Sequence, residues 1–411
     1  MNPPTSGTVN PWLRIFLPFA AGYFLSYLLR NVNAVIAPEL VRDLGVSAAD
    51  LGLLTSAYLF AFGAFQLPLG ILLDRYGPRR VEASLLLLTA TGAALFAVGQ
   101  NLGELALARA LIGLGVSACL MAAFKAFSLW FPAGQQASLN SAIMAAGGLG
   151  ALTASTPLGW LLPLIGWRGA FYLLAGLSIL AAGVIISTPD KPATAGKETL
   201  AAQLRGVGKV LGSFAFWRYA PQTALIVGGF MAMQGLWAVP WLMNFVGLTQ
   251  QAAAYHLLLM SVGMLIGFVS IAAFVTRLAA RGIRPEYILT AGMGGGLVVT
   301  LLIVIDGAPT QLLWFAMGLV FSVGNLSYAL LSGHFPPQLS GRVNTTLNLL
   351  AFVGAFGIQW GFGAVVDAWA ARGVAQRDAY QLTYALLLGL QAASYAWYVV
   401  AGRSPRFRKS G

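Results

Sequence analysis

Twelve long apolar segments follow one another along almost the whole chain, and this repetition limits the possible folds more than any other feature. A helix of about 20 apolar residues is long enough to cross the hydrocarbon core of a bilayer. Backbone groups in lipid must hydrogen-bond within their own segment, and no alternating strand pattern is present, so all twelve segments are predicted to be helices. We place them at approximately 13–37, 48–73, 81–100, 103–130, 137–164, 168–187, 219–247, 252–276, 286–305, 309–333, 343–369 and 380–401.

The composition agrees with a protein that lies mostly in a lipid bilayer. Hydrophobic residues make up 58% of the 411 residues and charged residues only 9%, whereas a soluble domain carries about 25% charged residues. The formal net charge of +12 would suggest nucleic-acid binding in a soluble protein. In a membrane protein the same excess is explained by basic loops, so no nucleic-acid partner is expected.

The basic residues fall mainly on one side of the predicted membrane. An even number of spans places both termini on the same side. Of the 24 Lys and Arg residues, 17 lie on that side, and the positive-inside rule therefore predicts cytoplasmic termini and a bacterial-type inner-membrane protein. The basic residues of the opposite side are Arg42, Arg168, Arg372 and Arg377, and those inside apolar segments are Arg30, Arg109 and Lys125.

A polar stretch at 188–218 divides the chain into two parts of similar length, 1–187 and 219–411, each with six predicted spans. Its Pro, Gly and mixed charges indicate a cytoplasmic linker, whose second half is expected to form a surface helix. The segments 128–140 and 332–344 share Ser, Phe, Pro and Asn at an offset of 204 residues. Such a repeat indicates a duplicated six-helix unit, with a substrate site between the halves near the membrane midplane.

The loop between the second and third spans reads G-I-L-L-D-R-Y-G-P-R-R over 70–80. It resembles the G-x-x-x-D-R-x-G-x-R-R motif of the major facilitator superfamily, and the resemblance extends through all twelve spans. It implies the major facilitator fold, two pseudo-symmetric six-helix halves, and transport by alternating access without an enzymatic activity. It also implies that the loop gates the cytoplasmic side through Gly70, Asp74, Arg75, Gly77, Arg79 and Arg80.

Three basic side chains lie well inside apolar segments, where each costs roughly 2.5 to 3.5 kcal/mol. Arg30 keeps its charge and can hold a carboxylate or phosphate by two hydrogen bonds, so it is the first candidate to bind an anion; snorkelling to the outer interface is the alternative. Lys125 either snorkels or reaches the central cavity to assist Arg30. Arg109 is expected to be an interfacial or structural residue.

Spans one and four also resemble the organic-anion branch of the superfamily. Tyr27 and Arg30 precede Ala-Pro at 37–38, and Lys125 precedes Trp-Phe-Pro at 130–132. Where that branch commonly has carboxylates thought to carry protons, this chain has Leu29 and Val116, which argues against proton symport by that route. No Asp or Glu is expected deep within a span, and Glu82 is assigned to the cytoplasmic side.

Further polar or aromatic side chains within the spans either line the substrate path or bond helix to helix. They are Tyr23, Tyr27, Asn33, Tyr58, Gln66, Gln234, Trp237, Asn325 and Gln359. The single Cys119 and the separate His256 and His334 do not suggest a metal site, and no cofactor is expected.

The sequence thus predicts a secondary transporter that moves a small, anionic metabolite, coupled to H⁺ or Na⁺ if to any ion, and active as a monomer. A proton-coupled exporter of drugs or metabolites remains an alternative within the same class. A receptor or scaffold that has the fold but does not transport is a second alternative.

Overall fold

The computed structural model describes residues 10–132, 135–191, 200–336 and 339–403. Within these residues, eleven helices are long and apolar enough to cross a membrane. One of them, Thr156–Ile186, contains Gly166 at φ +64°, which is not a helical conformation. The stretch before this kink completes the fifth span and the stretch after it is the sixth, so the predicted count of twelve is confirmed.

The spans are numbered α1 to α12 in chain order, and the short helix between α6 and α7, Leu200–Leu211, is called the linker helix. The twelve spans are α1 (Trp12–Leu44), α2 (Ala48–Tyr76), α3 (Pro78–Val98), α4 (Leu102–Trp130), α5 (Gln136–Thr153 with 156–165), α6 (167–186), α7 (Phe214–Val246), α8 (Gln250–Ala280), α9 (Pro285–Val304), α10 (Thr310–Ser332), α11 (Ser340–Ala370) and α12 (Gln376–Arg403). The predicted segments therefore agree with the observed helices to within a few residues at most ends.

Local chemistry explains several of these ends. α2 begins with a reciprocal cap, in which the Ser47 side chain accepts from the Asp50 amide and the Asp50 carboxylate accepts from the Ser47 amide; this satisfies two backbone donors that a helix start leaves free. Gly77 joins α2 to α3 at φ +79°, a conformation that glycine adopts without steric cost. The motif loop is therefore a tight turn between two membrane helices.

The two halves show the same irregularity in their fourth helices. α4 is interrupted at Ser117 and Ala118, where one segment ends and the next begins. α10 is interrupted by a 3₁₀ turn at Ser322–Asn325. The matching positions agree with the duplication that the repeat at 128–140 and 332–344 indicates.

Because twelve spans cross the membrane, Trp12 and Arg403 lie at one end of the bundle, here called the terminal end, and the other is the distal end. At the distal end, hydrogen bonds join the two halves. The Asp367 carboxylate on α11 accepts from the amides of Ala48 (3.2 Å) and Ala49 (2.7 Å) at the start of α2. A negative charge at a helix N-terminus is favourable, so Asp367 acts as a cap across the two halves.

Close backbone packing of α2 against α11 reinforces this closure. A Cβ atom at Gly363 would collide with the Ala48 carbonyl oxygen, and one at Gly52 would press on the carbonyl oxygen of Gln359. Only glycine permits this approach of the two helices. Beside this contact, a cavity of about 530 Å³ opens between the distal ends of α1, α2, α7, α11 and α12.

Parts of the sequence predictions lie outside the described residues. These are the outermost terminal segments 1–9 and 404–411, part of the linker at 192–199, and positions 133–134 and 337–338 of the repeat. The sidedness of the termini and the boundaries at 187 and 219 therefore stay predictions. The expected surface helix of the linker is present, and its Gly206 packs against the Arg342 side chain of α11.

Candidate functional site

Arg30 lies where the two halves meet, within a box of aromatic rings. Its guanidinium carbon is 4.7 Å from the Tyr27 ring centroid, 5.2 Å from that of Phe62 and 5.5 Å from that of Phe352. Tyr27 and Phe62 belong to α1 and α2, whereas Phe352 belongs to α11 in the second half. The Phe62 and Phe352 rings stack on each other at 4.5 Å. Ring faces attract a cation, so the box holds the charge without neutralising it.

No carboxylate of the described residues pairs with Arg30, and its Nε atom is buried without a hydrogen-bond partner. The Tyr58 hydroxyl is the polar group that faces the guanidinium; it also donates to the Ser26 carbonyl oxygen over 3.3 Å. A buried charge is normally paired. The arrangement therefore leaves a partly buried cation without an acidic partner in the described part of the chain.

Arg109 contacts both the α1 backbone beside Arg30 and the Tyr58 ring. It is fully buried, its Nη1 donates to the Leu29 carbonyl oxygen over 2.9 Å, and its guanidinium carbon lies 4.9 Å from the Tyr58 ring centroid. Of the interfacial or structural role expected for Arg109, these contacts and the full burial agree with the structural one. By bonding the residue next to Arg30, Arg109 fixes the α1 backbone at the site.

Tyr23 and Tyr27 pack together one turn apart on α1. Their rings meet edge to face at 5.1 Å, and the Tyr23 hydroxyl donates to the Met144 sulfur of α5 over 3.7 Å. A Cβ atom at Gly147 would lie 2.7 Å from the Tyr23 ring and 3.0 Å from the Tyr27 ring. The two rings therefore form a continuous surface from α5 to the Arg30 guanidinium.

Trp237 and Gln359 are the candidate residues of the second half that lie near α1. Trp237 Nε1 donates to the Gln359 carbonyl oxygen over 2.9 Å, and the Gln359 side-chain oxygen is buried without a described partner. A Cβ atom at Gly235 would be 3.3 Å from Gln359 Nε2 and 3.7 Å from the Arg30 carbonyl oxygen. Gln359 therefore lies near the backbone of Arg30, and its side-chain oxygen has no hydrogen-bond partner among the described residues. Trp237 sits on a π-helical turn of α7, a distortion that often marks functional positions.

The other polar candidates mainly bond helix to helix. Asn33 donates to Thr55 Oγ1 (2.9 Å) and Gln66 donates to the Ser117 carbonyl oxygen (3.1 Å) at the break in α4. Gln234 donates to Ser261 Oγ on α8 over 3.4 Å. Asn325 is exposed on the 3₁₀ turn of α10. The structure does not bring these four into the aromatic box.

Lys125 contacts the motif loop between α2 and α3 and is not part of the aromatic box. Its Nζ is 2.7 Å from Asp74 Oδ1, and both side chains are partly exposed. Arg79 donates to the Thr188 carbonyl oxygen (2.8 Å) and, with Arg80, approaches Asp190 at 3.5 and 3.8 Å. The guanidinium carbon of the third loop arginine, Arg75, lies 5.3 Å from the ring centroid of the neighbouring Tyr76. The loop is thus tied to α4 and to the start of the linker.

Replacement of Lys125 by methionine is expected to leave the affinity for an anionic substrate unchanged, because in this structure Nζ is committed to Asp74. A direct bond from Lys125 to the anion would instead make the variant bind about 10- to 100-fold more weakly. Equilibrium binding measured for Lys125→Met beside Asp74→Asn distinguishes the two roles. Weakening in Lys125→Met but not in Asp74→Asn contradicts the assignment to the loop.

Glu82 is the clearest departure from the sequence prediction. The sequence assigns it to the cytoplasmic side and not to the interior, but its exposed fraction is 0% and both carboxylate oxygens lack a hydrogen-bond partner among the described residues. α3 begins at Pro78 and not at 81, so Glu82 lies a full turn inside the helix. The preference of proline for the first helical position could have moved the predicted start. Its burial could not have been read from the sequence, nor could the contact of Phe352 with Arg30.

A model of the Major Facilitator Superfamily matches residues 19–358, which is most of the chain. The chain belongs to the major facilitator superfamily. The resemblance drawn from the loop motif is therefore confirmed, together with the two-half fold. Two solved structures of this fold are similar over nearly the whole chain: a bacterial homologue of the human lysosomal transporter Spinster (TM-score 0.76, 17% identity, 98% of this chain and 99% of that one) and a nucleoside transporter (0.77, 14%, 96% and 100%).

Curated relatives match a shorter part of the chain. The hexuronate transporter of Escherichia coli K12 is 30% identical over 169 residues, which is 41% of this chain and 39% of that protein. The galacturonate transporter of Dickeya chrysanthemi is 30% identical over 39% and 46%. The tetracenomycin C resistance and export protein of Streptomyces glaucescens is 30% identical over 47% and 36%. The matches thus span less than half of each relative. The printed names of these relatives are those of transporters and an export protein.

Proposed function

We propose that the protein is a secondary active transporter that moves a small organic anion across the inner membrane by alternating access. Arg30 binds the anion, and Tyr58 and Gln359 orient it by hydrogen bonds. Acid sugars are the first substrate class to test, because the hexuronate and galacturonate transporters are among the relatives. An acid sugar offers a carboxylate for the guanidinium and hydroxyl groups for the surrounding phenol and amide.

The observation that carries this proposal is that the Arg30 guanidinium, which lies between the halves, has no acidic partner among the described residues. Its rings come from both halves, α1 and α2 on one side and α11 on the other. An anion seated there contacts both halves at once, and a site at the interface of the repeats is what alternating access by rocking halves requires. A site formed by one half alone would keep its contacts when the two halves move relative to each other.

The distribution of charge supports a cytoplasmic terminal end. We therefore assign the distal end, which Asp367 and Gly363 close, to the periplasm, and the conformation to an inward-facing state. The motif loop agrees with this assignment. Asp74 pairs with Lys125, and Arg79 pairs with Asp190, so these groups bind within the first half and the linker and are not used to latch the two halves together.

Counterflow in proteoliposomes tests the proposal. Vesicles containing purified protein are loaded with unlabelled D-glucuronate, D-galacturonate or sulfoacetate and diluted into the labelled compound, with glucose as the neutral control. We expect transient accumulation of label for at least one anion and none for glucose. Exchange of none of the three anions contradicts the proposal.

The two alternatives give different results in the same vesicles. An exporter of drugs, suggested by the tetracenomycin C relative, would exchange a planar aromatic compound and none of the acids. A receptor or scaffold would bind a ligand saturably without any counterflow. Either pattern replaces the proposed function.

A further inference from the structure

Glu82 is a buried acid for which neither the fold nor the anion site gives a reason. Its exposed fraction is 0%, and neither oxygen has a hydrogen-bond partner in the part of the chain that the structure describes. An ionised carboxylate costs far more to bury than an uncharged polar group. An acid in this place is therefore disfavoured by stability alone, as ionisable residues within membrane spans generally are unless they serve a function.

The pocket around Glu82 is built from three other helices. Gly22 of α1 provides the space, because a Cβ atom there would collide with Glu82 Oε1, and Ile185 of α6 closes one side. Cys119 of α4 is the titratable side chain that the described residues bring against the carboxyl. No lysine, arginine or histidine of the described residues pairs with it. The pocket thus contains an acid without a cation to balance it.

The chemistry of this pocket fits a proton and not a metal cation. Na⁺ needs a shell of oxygen atoms to replace its water, as ion-selective sites provide from several carbonyl groups. The groups that the described residues are shown to bring against this carboxyl are a thiol, a glycine and an aliphatic side chain, and none of them is a second oxygen ligand. A proton needs only one oxygen lone pair, and the resulting neutral acid avoids most of the burial cost of the carboxylate.

α1 connects this pocket to the anion site. Gly22 covers the Glu82 carboxyl, and the next residue, Tyr23, packs edge to face against Tyr27. The Tyr27 ring centroid in turn lies 4.7 Å from the Arg30 guanidinium carbon. Positions 22–23, 26–27 and 30 follow one face of the helix at intervals of about one turn. Any movement of α1 that accompanies anion binding or release therefore also changes the cover over Glu82.

We propose that Glu82 is the proton-binding site that couples this carrier to the proton gradient, in place of the carboxylates that the related branch has at the positions of Leu29 and Val116. The inference rests on the proposed transport function. One proton binds the carboxylate and gives the neutral acid while Gly22 covers it. Displacement of α1 opens the pocket to water, and the same proton leaves as the carboxylate forms. The anion on Arg30 and the proton on Glu82 are thus carried together.

The test compares wild type with Glu82→Gln, which keeps the size and polarity of the neutral acid but cannot lose a proton. The matched control is Glu286→Gln, a partly exposed acid in the first turn of α9, the third helix of the second half. In wild type and control, an inward gradient of one pH unit is expected to drive up to about tenfold accumulation of the anion. In Glu82→Gln we expect exchange to continue while this accumulation is lost. Accumulation equal to wild type overturns the proposal.

A second measurement does not depend on knowing the substrate. The infrared band of a protonated carboxylic acid is recorded for wild type and Glu82→Gln in lipid across a pH series. We expect a band that disappears at high pH in wild type and is missing in the variant. A wild-type spectrum without a titrating band, or a variant that keeps it, overturns the assignment of Glu82. Failure of all anions in counterflow, with the titrating band present, would instead contradict the proposed function and leave Glu82 as a titrating buried acid.

Discussion

An Arg30→Ala variant is expected to bind its anionic substrate about 10- to 100-fold more weakly than wild type, since a charge-assisted hydrogen bond contributes about 1.5–3 kcal/mol. The variant should still fold, because Arg30 has no acidic partner among the described residues that its loss would leave unpaired. Loss of binding would then reflect the site itself. Equilibrium binding of labelled acid to purified protein measures the change directly.

Arg30→Lys refines this prediction. Lysine keeps the charge but not the planar group that lies over the Tyr27 ring and holds a carboxylate by two bonds, so we expect an affinity between those of wild type and the alanine variant. Arg168→Ala is the matched control, since Arg168 also stacks on a ring (4.0 Å from Trp167) but lies at the distal end and donates to the Gly99 carbonyl oxygen. Unchanged affinity in Arg30→Ala would remove Arg30 from the site.

A Gly363→Val variant is expected to lose transport because the distal end cannot close. The new side chain would meet the backbone carbonyl of Ala48, which cannot rotate away as a flexible side chain can. Overpacking of this kind costs about 1–3 kcal/mol, enough to shift the balance between the two conformations about 5- to 150-fold. Anion binding from the distal side should remain, because the aromatic box is not altered.

Gly361→Val is the control for this effect. It lies two residues away on α11 and a Cβ atom there meets nothing within 4 Å, so its transport should equal that of wild type. For the distance measurement, both variants are made in a background in which Cys119, the single cysteine of the chain, is replaced. Spin labels on cysteines introduced at Val46 and Val374 then report the distance between the two halves at the distal end. We expect longer distances in Gly363→Val. Distances equal to those of the control, with transport lost, would contradict the closure mechanism.

Much of the architecture could be predicted because hydropathy is a local property. A run of about 20 apolar residues identifies a membrane helix without reference to any other part of the chain, and the predicted segments match the observed spans. The motif between Gly70 and Arg80 was equally local, and it identified the superfamily. Arg30 could be singled out for the same reason, since a charge within an apolar run is visible in the sequence itself.

The packing of one helix against another decided the rest. Nothing in the sequence indicates that Lys125, a candidate ligand, and Asp74, a loop residue, contact each other. In the structure, Lys125 Nζ lies 2.7 Å from Asp74 Oδ1. Glu82 is near the start of a span and looks like a surface residue until Gly22 of α1 is packed against it. Gln66 and Asn33 could equally have lined a path, and only their partners on neighbouring helices settled what they bond.

The sequence by itself therefore determined that this chain is a twelve-helix member of its superfamily with a cation buried in its first span. Only the tertiary structure decided that Phe352, from a helix more than 300 residues later in the chain, completes the ring box around Arg30, that Glu82 is buried, and that α2 and α11 meet closely enough to close the distal end. The physical reason is that an apolar segment satisfies its own backbone and needs only lipid around it. A charged side chain takes its role from the partners that distant segments bring to it.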